Sequence, residues 1–383
     1  MKKFALSSLS LALLGAAGAA HAQSSVTLYG VLDDSIQYVN NINVSGSNKS
    51  SFGLAAGNLQ GNRWGLKGTE DLGGGLKVVF QLENGFSPNS GALGSYNGTS
   101  KLFGRQAFVG LASDQFGTVT IGRQYDPVVD LVQAVTADNY WGSTFTTPSD
   151  VDNNDNSSRT NNAIKYTSQT YAGFQFEAMY AFGGVAGSTG SGQTWSGAAT
   201  YANGPFSVAA GYIRMDNADT LAGRNGGWAG TSDGTFNSIN LPYVTAKSIG
   251  IASIGAQYVI GPITTGLRYS NAQYKPDASS AAGFTSTERY NVGAGFVNYQ
   301  LTPAALLGLG YTFTHGSGNG ESASYNQISL GGDYNLSKRT DVYLVGAYQR
   351  ASGTGAVASV ADYDDESASN SQAIVSLGIR HKF

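Results

Sequence analysis

The chain has 383 residues, a formal net charge of −3, only 12% charged residues and no cysteine. Without cysteine there is neither a disulfide framework nor a thiolate nucleophile, and no basic surface of the kind that nucleic-acid binding requires appears in the sequence. The 53 glycines and 22 tyrosines stand beside only 8 prolines, a composition foreign to Pro/Gly-rich disorder and suited to twisted strands with aromatic belts.

In chain order, the first element is a leader. Lys2 and Lys3 form a positive start, Leu6 to Ala20 a short apolar stretch broken by serines, and Ala20-His21-Ala22 a small-x-small cleavage site. This pattern predicts a signal peptide over residues 1–22, removed to leave a single domain over 23–383. No later window approaches the ~18 continuous apolar residues of a membrane helix. For an exported protein that leaves a water-soluble fold or a β-barrel, whose alternating strands escape such windows.

From there to the C-terminus the dominant signal is alternation with period two. Leu76, Val78, Phe80 and Leu82 share one face, with Lys77, Gln81 and Glu83 on the other. Near the end, Ala373, Val375, Leu377, Ile379, His381 and Phe383 alternate with Ile374, Ser376, Gly378, Arg380 and Lys382. A strand with one lipid face and one wet face requires this pattern. Seven short breaks, at 71–75, 113–117, 171–173, 202–205, 261–262, 301–303 and 335–339, alternate with eight longer polar stretches. The latter lie near 40–60, 86–101, 127–159, 184–193, 216–246, 276–286, 315–323 and 351–370. These connections predict an all-β fold: sixteen antiparallel strands closed into one transmembrane β-barrel, with short periplasmic turns, long outer loops and the first strand paired to the last.

Five motifs recur in order with strand-plus-turn spacing. They are Val26-Thr27-Leu28-Tyr29-Gly30, Arg63-Trp64-Gly65-Leu66-Lys67-Gly68-Thr69-Glu70-Asp71-Leu72-Gly73-Gly74-Gly75-Leu76, Arg105-Gln106-Ala107-Phe108-Val109-Gly110-Leu111, Phe116-Gly117-Thr118-Val119-Thr120-Ile121-Gly122-Arg123 and Gly378-Ile379-Arg380-His381-Lys382-Phe383. Across the whole exported chain this resembles the general bacterial porins of Gram-negative outer membranes, the trimeric sixteen-stranded type with a β-proteobacterial flavour. The resemblance implies that the third long loop folds into the barrel, forming a pore constriction where wall arginines face loop acids. The family's wall arginines fall on Arg63 in the second strand, Arg105 in the fourth and Arg159 at the start of the sixth, with Arg123 at the end of the fifth as a further match. Of the third-loop acids Asp126, Asp130, Asp138, Asp150, Asp152 and Asp155, Asp130 and Asp138 lie where the loop should cross the lumen. The Asn/Asp/Ser-rich stretch 150–156 reads instead as turn chemistry.

Inward parity makes Lys67 and Lys77 pore-lining candidates. Val31 stands where some relatives carry lysine, which removes one positive group. A surface charge or a structural ion pair is the ordinary role of an arginine. Within a membrane strand, however, facing lipid at mid-depth costs ~2–4 kcal/mol, which favours the lumen. Asp34 shares the outward parity of Leu28, Leu32 and Ile36, which suits a subunit interface better than bare lipid. Phe383, a C-terminal aromatic on an alternating strand, is expected to be the assembly signal read by the barrel-assembly machinery.

Catalytic chemistry is not assembled in the sequence. Only His315 and His381 follow the leader, and no nucleophile–base–acid set can be built around either. No cofactor motif or metal-ligand spacing is present. The run Asp362, Asp364, Asp365 and Glu366 has oxygen ligands for a divalent cation, although a solvated loop tip is the commoner role of such a run. The expectation is a porin rather than an enzyme: a cofactor-free homotrimer in the outer membrane, in contact with outer-membrane lipid and lipopolysaccharide. It would pass ions and small hydrophilic solutes by passive diffusion, with a weak preference for anions. A substrate-specific channel, with a binding site along the lumen, is the alternative; a receptor or adhesin built on the long loops is another.

Overall fold

The computed structural model of the protein describes residues 25–383 apart from 97, 225, 235, 354 and 362–365. The expected leader, and Asp362, Asp364 and Asp365 of the acidic run, lie outside the described residues.

One sheet closes on itself. Its sixteen staves are β1 (Ser25–Val44), β2 (Ser47–Ala56 continued by Arg63–Gly73), β3 (Leu76–Gly85), β4 (Gln106–Ser113), β5 (Gly117–Gln124), β6 (Thr160–Thr167), β7 (Phe174–Ala181) and β8 (Thr194–Asn203). They continue with β9 (Phe206–Asp216), β10 (Ser248–Ile260), β11 (Ile263–Lys275), β12 (Glu288–Thr302), β13 (Ala305–Gly318), β14 (Glu321–Asn335), β15 (Thr340–Gly353) and β16 (Ser371–Lys382). Neighbours pair antiparallel, and β1 joins β16 from Val31↔Lys382 to Val39↔Ile374. β1 also carries both segments of β2, residues 25–31 against 63–69 and 34–44 against 47–56. Gly30 and Phe383 exchange backbone hydrogen bonds of 3.0 and 3.1 Å, so the first part of β1 and Phe383 meet on the short-turn side.

Period two becomes the two faces of this wall. In β1, Leu28, Leu32 and Ile36 are exposed on the outside while Asp33, Ser35 and Gln37 are buried within. Outward aromatics form two girdles: Tyr201, Tyr258, Tyr299 and Tyr334 near the short turns, and Trp195, Tyr269, Tyr311 and Tyr348 toward the long loops. Such belts mark the two membrane–water interfaces of a barrel.

Two of the expected long connections are not loops. Residues 40–60 contain the end of β1, a turn at 45–46 and the first segment of β2; residues 315–323 contain the tight β13–β14 hairpin closed over Asn319 and Gly320. Their polar side chains sit on strands that run on past the bilayer. β1 is 20 residues long, against roughly 9–11 needed to cross. Polarity there marks height above the membrane, not loss of strand.

The third loop (125–159) lies inside the barrel. It contains α1 (Pro127–Leu131) and α2 (Asp138–Trp141). Asp126 caps α1 by accepting from the Val128 and Val129 amides at 2.8 and 3.4 Å, and Pro127 suits the first turn, where no amide donor is needed. Trp141 is fully buried, stacks on Phe145 at 5.5 Å and donates from Nε1 to Asn298 of β12 at 2.7 Å. Gly308 and Gly331 clear the wall for this indole, since a Cβ at either would fall 2.3–2.4 Å from the ring. Farther along, Gln327 of β14 donates to the Thr144 and Thr146 carbonyls at 3.1 and 3.2 Å, and Tyr274 of β11 to the Val151 carbonyl at 2.8 Å.

Asp152 seals that end. It pairs with the buried Arg268 of β11 and accepts from Ser270 and from Thr147. Burial pushes its carboxyl up, but the Arg268 guanidinium and the two hydroxyls outweigh this and hold it below the ordinary carboxylate range. Beneath the loop, the break in β2 (57–62) also turns inward. Asp33 gathers it by accepting from the Leu59 and Gln60 amides at 2.9 and 2.7 Å, and Leu59 packs with Trp141, Phe145 and Tyr343.

Trp141→Ala should loosen the loop by about 3–5 kcal/mol, the usual effect of emptying a large aromatic site. Proteolysis within 125–159 should then accelerate and open-channel noise rise, while the barrel keeps its resistance to unheated SDS. Unchanged protease resistance would mean that the polar anchors alone hold the loop.

Candidate functional site

Wall and third loop together enclose a polar cavity of about 390 Å³. Arg63 of β2, Arg105 just ahead of β4 and Arg159 just ahead of β6 face it from the wall. Gln133, Asp138 and Asp155 face it from the loop, and Gln60 from the inward break of β2. The sequence placed three of these arginines and Asp138 in one site, and the structure brings the four together.

Their electrostatic situations differ. Arg105 donates from Nε to Glu83 at 2.8 Å and from a terminal nitrogen to the Tyr125 hydroxyl at 2.5 Å. Tyr125 and Tyr29 both donate to the same carboxylate, at 3.0 and 2.7 Å, so Glu83 balances Arg105. Arg159 lies over the rings of Tyr96 and Tyr125 at 5.5 and 5.3 Å and donates to the Asn156 carbonyl. Arg63 is within electrostatic reach of Arg105, Arg159 and Glu83. Among the described residues, neither Arg63 nor Arg159 has a carboxylate at ion-pair distance, unlike Arg105 and Arg123.

Four further candidates stand elsewhere. Arg123 is consumed by Asp233 of the fifth long loop, by Asn161 at 2.8 Å and by the Gly104 carbonyl at 2.7 Å, which ties three segments together at the edge of the cavity. Asp130 does not face the arginines; it pairs with Lys165 of β6, which also lies 3.9 Å from Glu177 of β7. Lys67 is exposed, its ammonium 5.3 Å from the Tyr29 ring centroid. Lys77 sits at the short-turn rim, paired with Asp114 at 3.1 Å, because inward parity fixes a face and not a depth. Of the remaining acids, Asp150 does serve turn chemistry, accepting from the Asp155 amide and from Ser157.

Sequence reasoning missed the aromatic frame. Tyr96, on the second long loop, lies under Arg123, Arg159 and Lys101 at 5.1, 5.5 and 5.8 Å, where a ring face attracts cations. Glu83 and Lys165 were missed as partners although both share lumen parity with their strands.

A family model for Gram-negative porins matches residues 7–354. The chain belongs to that family. It is 32% identical to an outer membrane porin protein of Bordetella pertussis and 32% identical to outer membrane porin protein 32 of Delftia acidovorans, each alignment covering 100% of both chains. The fold matches an anion-selective porin from Comamonas acidovorans with a TM-score of 0.74 at 26% identity, covering 94% of this chain and 100% of that one. This porin is therefore a Gram-negative outer-membrane protein that forms a water-filled channel for passive diffusion of ions and small hydrophilic solutes. Its family and fold are those of channels rather than enzymes.

The loop carries a titratable group of its own. Burial, reinforced by the charge of Asp130, pushes the Asp126 carboxyl up to about 6, despite its two amide donors and nearby Lys165. In the unfolded chain it titrates near 3.8. The folded protein therefore binds the proton more tightly, and acidification through about 6 strengthens loop docking until the gain levels off near 3.8. The full effect is on the order of 2–3 kcal/mol. Asp126→Asn keeps a capping side chain and should raise thermal stability over wild type at pH 7.5, with the difference vanishing by pH 4. A pH-independent difference would show that folding does not raise the pKa of this carboxyl.

Proposed function

We propose that this porin is a general diffusion pore with a weak preference for anions, narrowed where Arg63, Arg105 and Arg159 face the third loop, and that it works as a homotrimer without catalysing a reaction. The observation that carries the selectivity is the pair of guanidiniums, Arg63 and Arg159, turned to the cavity without an ion-pair partner among the described residues. Across the gap stand Asp138, which accepts from Gln133, and Asp155; they match the two guanidiniums in number, which keeps the preference weak. Walls of low dielectric focus that field on a passing ion. Loop charges beyond a Debye length of about 8 Å contribute little at physiological salt. Asp130 and Arg123 drop out of the balance, each neutralised by its own partner. The anion selectivity named for the Comamonas acidovorans protein points the same way.

Two features support the rest of this reading. Asp34 stands half-buried on the outward face of β1, where a neighbouring subunit would spare it bare lipid. A related Vibrio cholerae outer-membrane protein has been solved in a trimer form. Phe383 closes the barrel beside Gly30 and is positioned to serve as the assembly signal.

The zero-current potential under a tenfold KCl gradient tests selectivity. Wild type should carry the sign of anion preference; Arg63→Ala combined with Arg159→Ala should abolish or reverse it, while Lys77→Ala leaves it unchanged. Cation preference in the wild type would overturn the proposal. For assembly, Phe383→Ala should lower the heat-modifiable fraction in the outer membrane several-fold, and an unchanged yield would remove the signal role.

A further inference from the structure

The fifth long loop reaches the constriction. Its segment 231–233 lies along the start of β6: the Asn161 amide donates to the Thr231 carbonyl at 2.9 Å, and the Asp233 amide to the Arg159 carbonyl at 2.8 Å. Between them Thr160 and Ser232 form a β-bridge. Hydroxyls reinforce this seam. Ser158 donates to the Asp233 carbonyl at 2.7 Å, and the Ser232 hydroxyl lies 2.8 and 3.0 Å from those of Thr160 and Thr194. The loop is therefore docked beside Arg159 by groups other than the Asp233 carboxylate.

That carboxylate is buried and meets two cations. Arg123 donates to one oxygen, and Lys101 of the second long loop donates to the other at 3.1 Å. Both cations also lie at the Tyr96 ring, 5.1 and 5.8 Å from its centroid, with Arg159 at 5.5 Å. A Cβ at Gly104 would overlap this ring, and one at Gly85 would fall 2.6 Å from its hydroxyl, so two glycines keep its seat open. Tyr96 in turn borders the polar cavity. Three cations thus gather at a ring on the edge of the pore, and Asp233 is the acid that two of them share.

We propose that Asp233 is a selectivity-determining residue of the pore, a counterion carried in by the fifth loop that cancels one of the two charges of Arg123 and Lys101. The inference rests on the diffusion-pore reading and extends its charge balance to a loop beyond the third. Arg123 keeps its proton whatever stands at position 233, so loss of the carboxylate leaves one more positive charge at the cavity edge. Arg123 lies 5.1 Å from the Tyr96 ring that borders the cavity, well within a Debye length of about 8 Å. Walls of low dielectric carry the field on to a passing ion. Asp233 thereby helps to keep the anion preference weak.

The test is the zero-current potential of the whole protein in planar bilayers under a tenfold KCl gradient, converted to an anion-to-cation permeability ratio. Asp233→Asn keeps the size of the side chain and the backbone seam. It should raise the ratio about twofold, the effect of one unit charge about a Debye length from the ion. Lys101→Gln should lower the ratio by a similar factor. The double variant carries the wild-type charge and should return to the wild-type ratio, a rescue that a merely structural role of Asp233 would not produce. The shifts should shrink with the gradient centred near 1 M KCl, where the Debye length falls to about 3 Å. An unchanged ratio in Asp233→Asn, a double variant that does not return, or shifts equally large near 1 M KCl would overturn the proposal. If Asp233→Asn fails to assemble, Lys101→Gln decides alone, and an unchanged ratio there overturns it. The wild-type sign is read separately: cation preference would sink the anion reading, and the direction of these shifts would still decide the role of Asp233.

Discussion

The structure depends on ring closure at the β1–β16 seam. In a bilayer an open strand edge leaves a row of amides and carbonyls without partners, each costing several kcal/mol. β1 removes that cost by pairing with β16 on one side and with both segments of β2 on the other. Once the ring is closed, every strand residue is assigned to lipid or lumen by parity alone. Alternation in the sequence is the record of this constraint, which is why Leu32 and Ile36 are exposed while the intervening Asp33 and Ser35 are buried.

A sixteen-stranded ring is too wide for its own side chains to fill, and the third loop occupies the space. Its docking combines an apolar and a polar part. The cluster of Leu59, Trp141, Phe145 and Tyr343 supplies area removed from water. The Arg268–Asp152 pair adds little net stability, because desolvation offsets its attraction. It does fix position, since displacing either partner would strand a buried charge. The loop is thereby held at a set height, and Asp138 and Asp155 face the wall arginines at the same level.

What was legible in the sequence follows from range. Strand, turn and parity are local properties, so the barrel and the lumen placement of Arg63, Arg105 and Arg159 could be read directly, helped by the family motifs around them. Depth is not local. Lys67 and Lys77 have the same parity as Arg63 and Glu83 respectively, yet Lys77 ends at the rim because only the pairing register sets height. Polar stretches were over-read as loops where strands outrun the membrane, as at 40–60 and 315–323. Partners were least legible. Asp130 meets Lys165 35 residues away and Arg123 meets Asp233 110 residues away, and nothing in either neighbourhood announces the pairing. Tyr96 is one tyrosine among 22, distinguished only by the three cations its loop brings to it.

These pairings also bear on the positive waist proposed for this acidic chain. The net charge of −3 counts every acid equally, but an acid already neutralised by a neighbour exerts almost no field at a distance. Glu83 is engaged by Arg105, Asp130 by Lys165, Asp152 by Arg268, and Asp233 is shared by Arg123 and Lys101. The arginines without such partners, Arg63 and Arg159, keep their charge for the water in the cavity. Arg159 tolerates this because the Tyr96 and Tyr125 rings support its faces and the Asn156 carbonyl accepts from it. Selectivity in such a pore is decided by which ions the folded chain leaves unpaired, a property that neither composition nor any single strand contains.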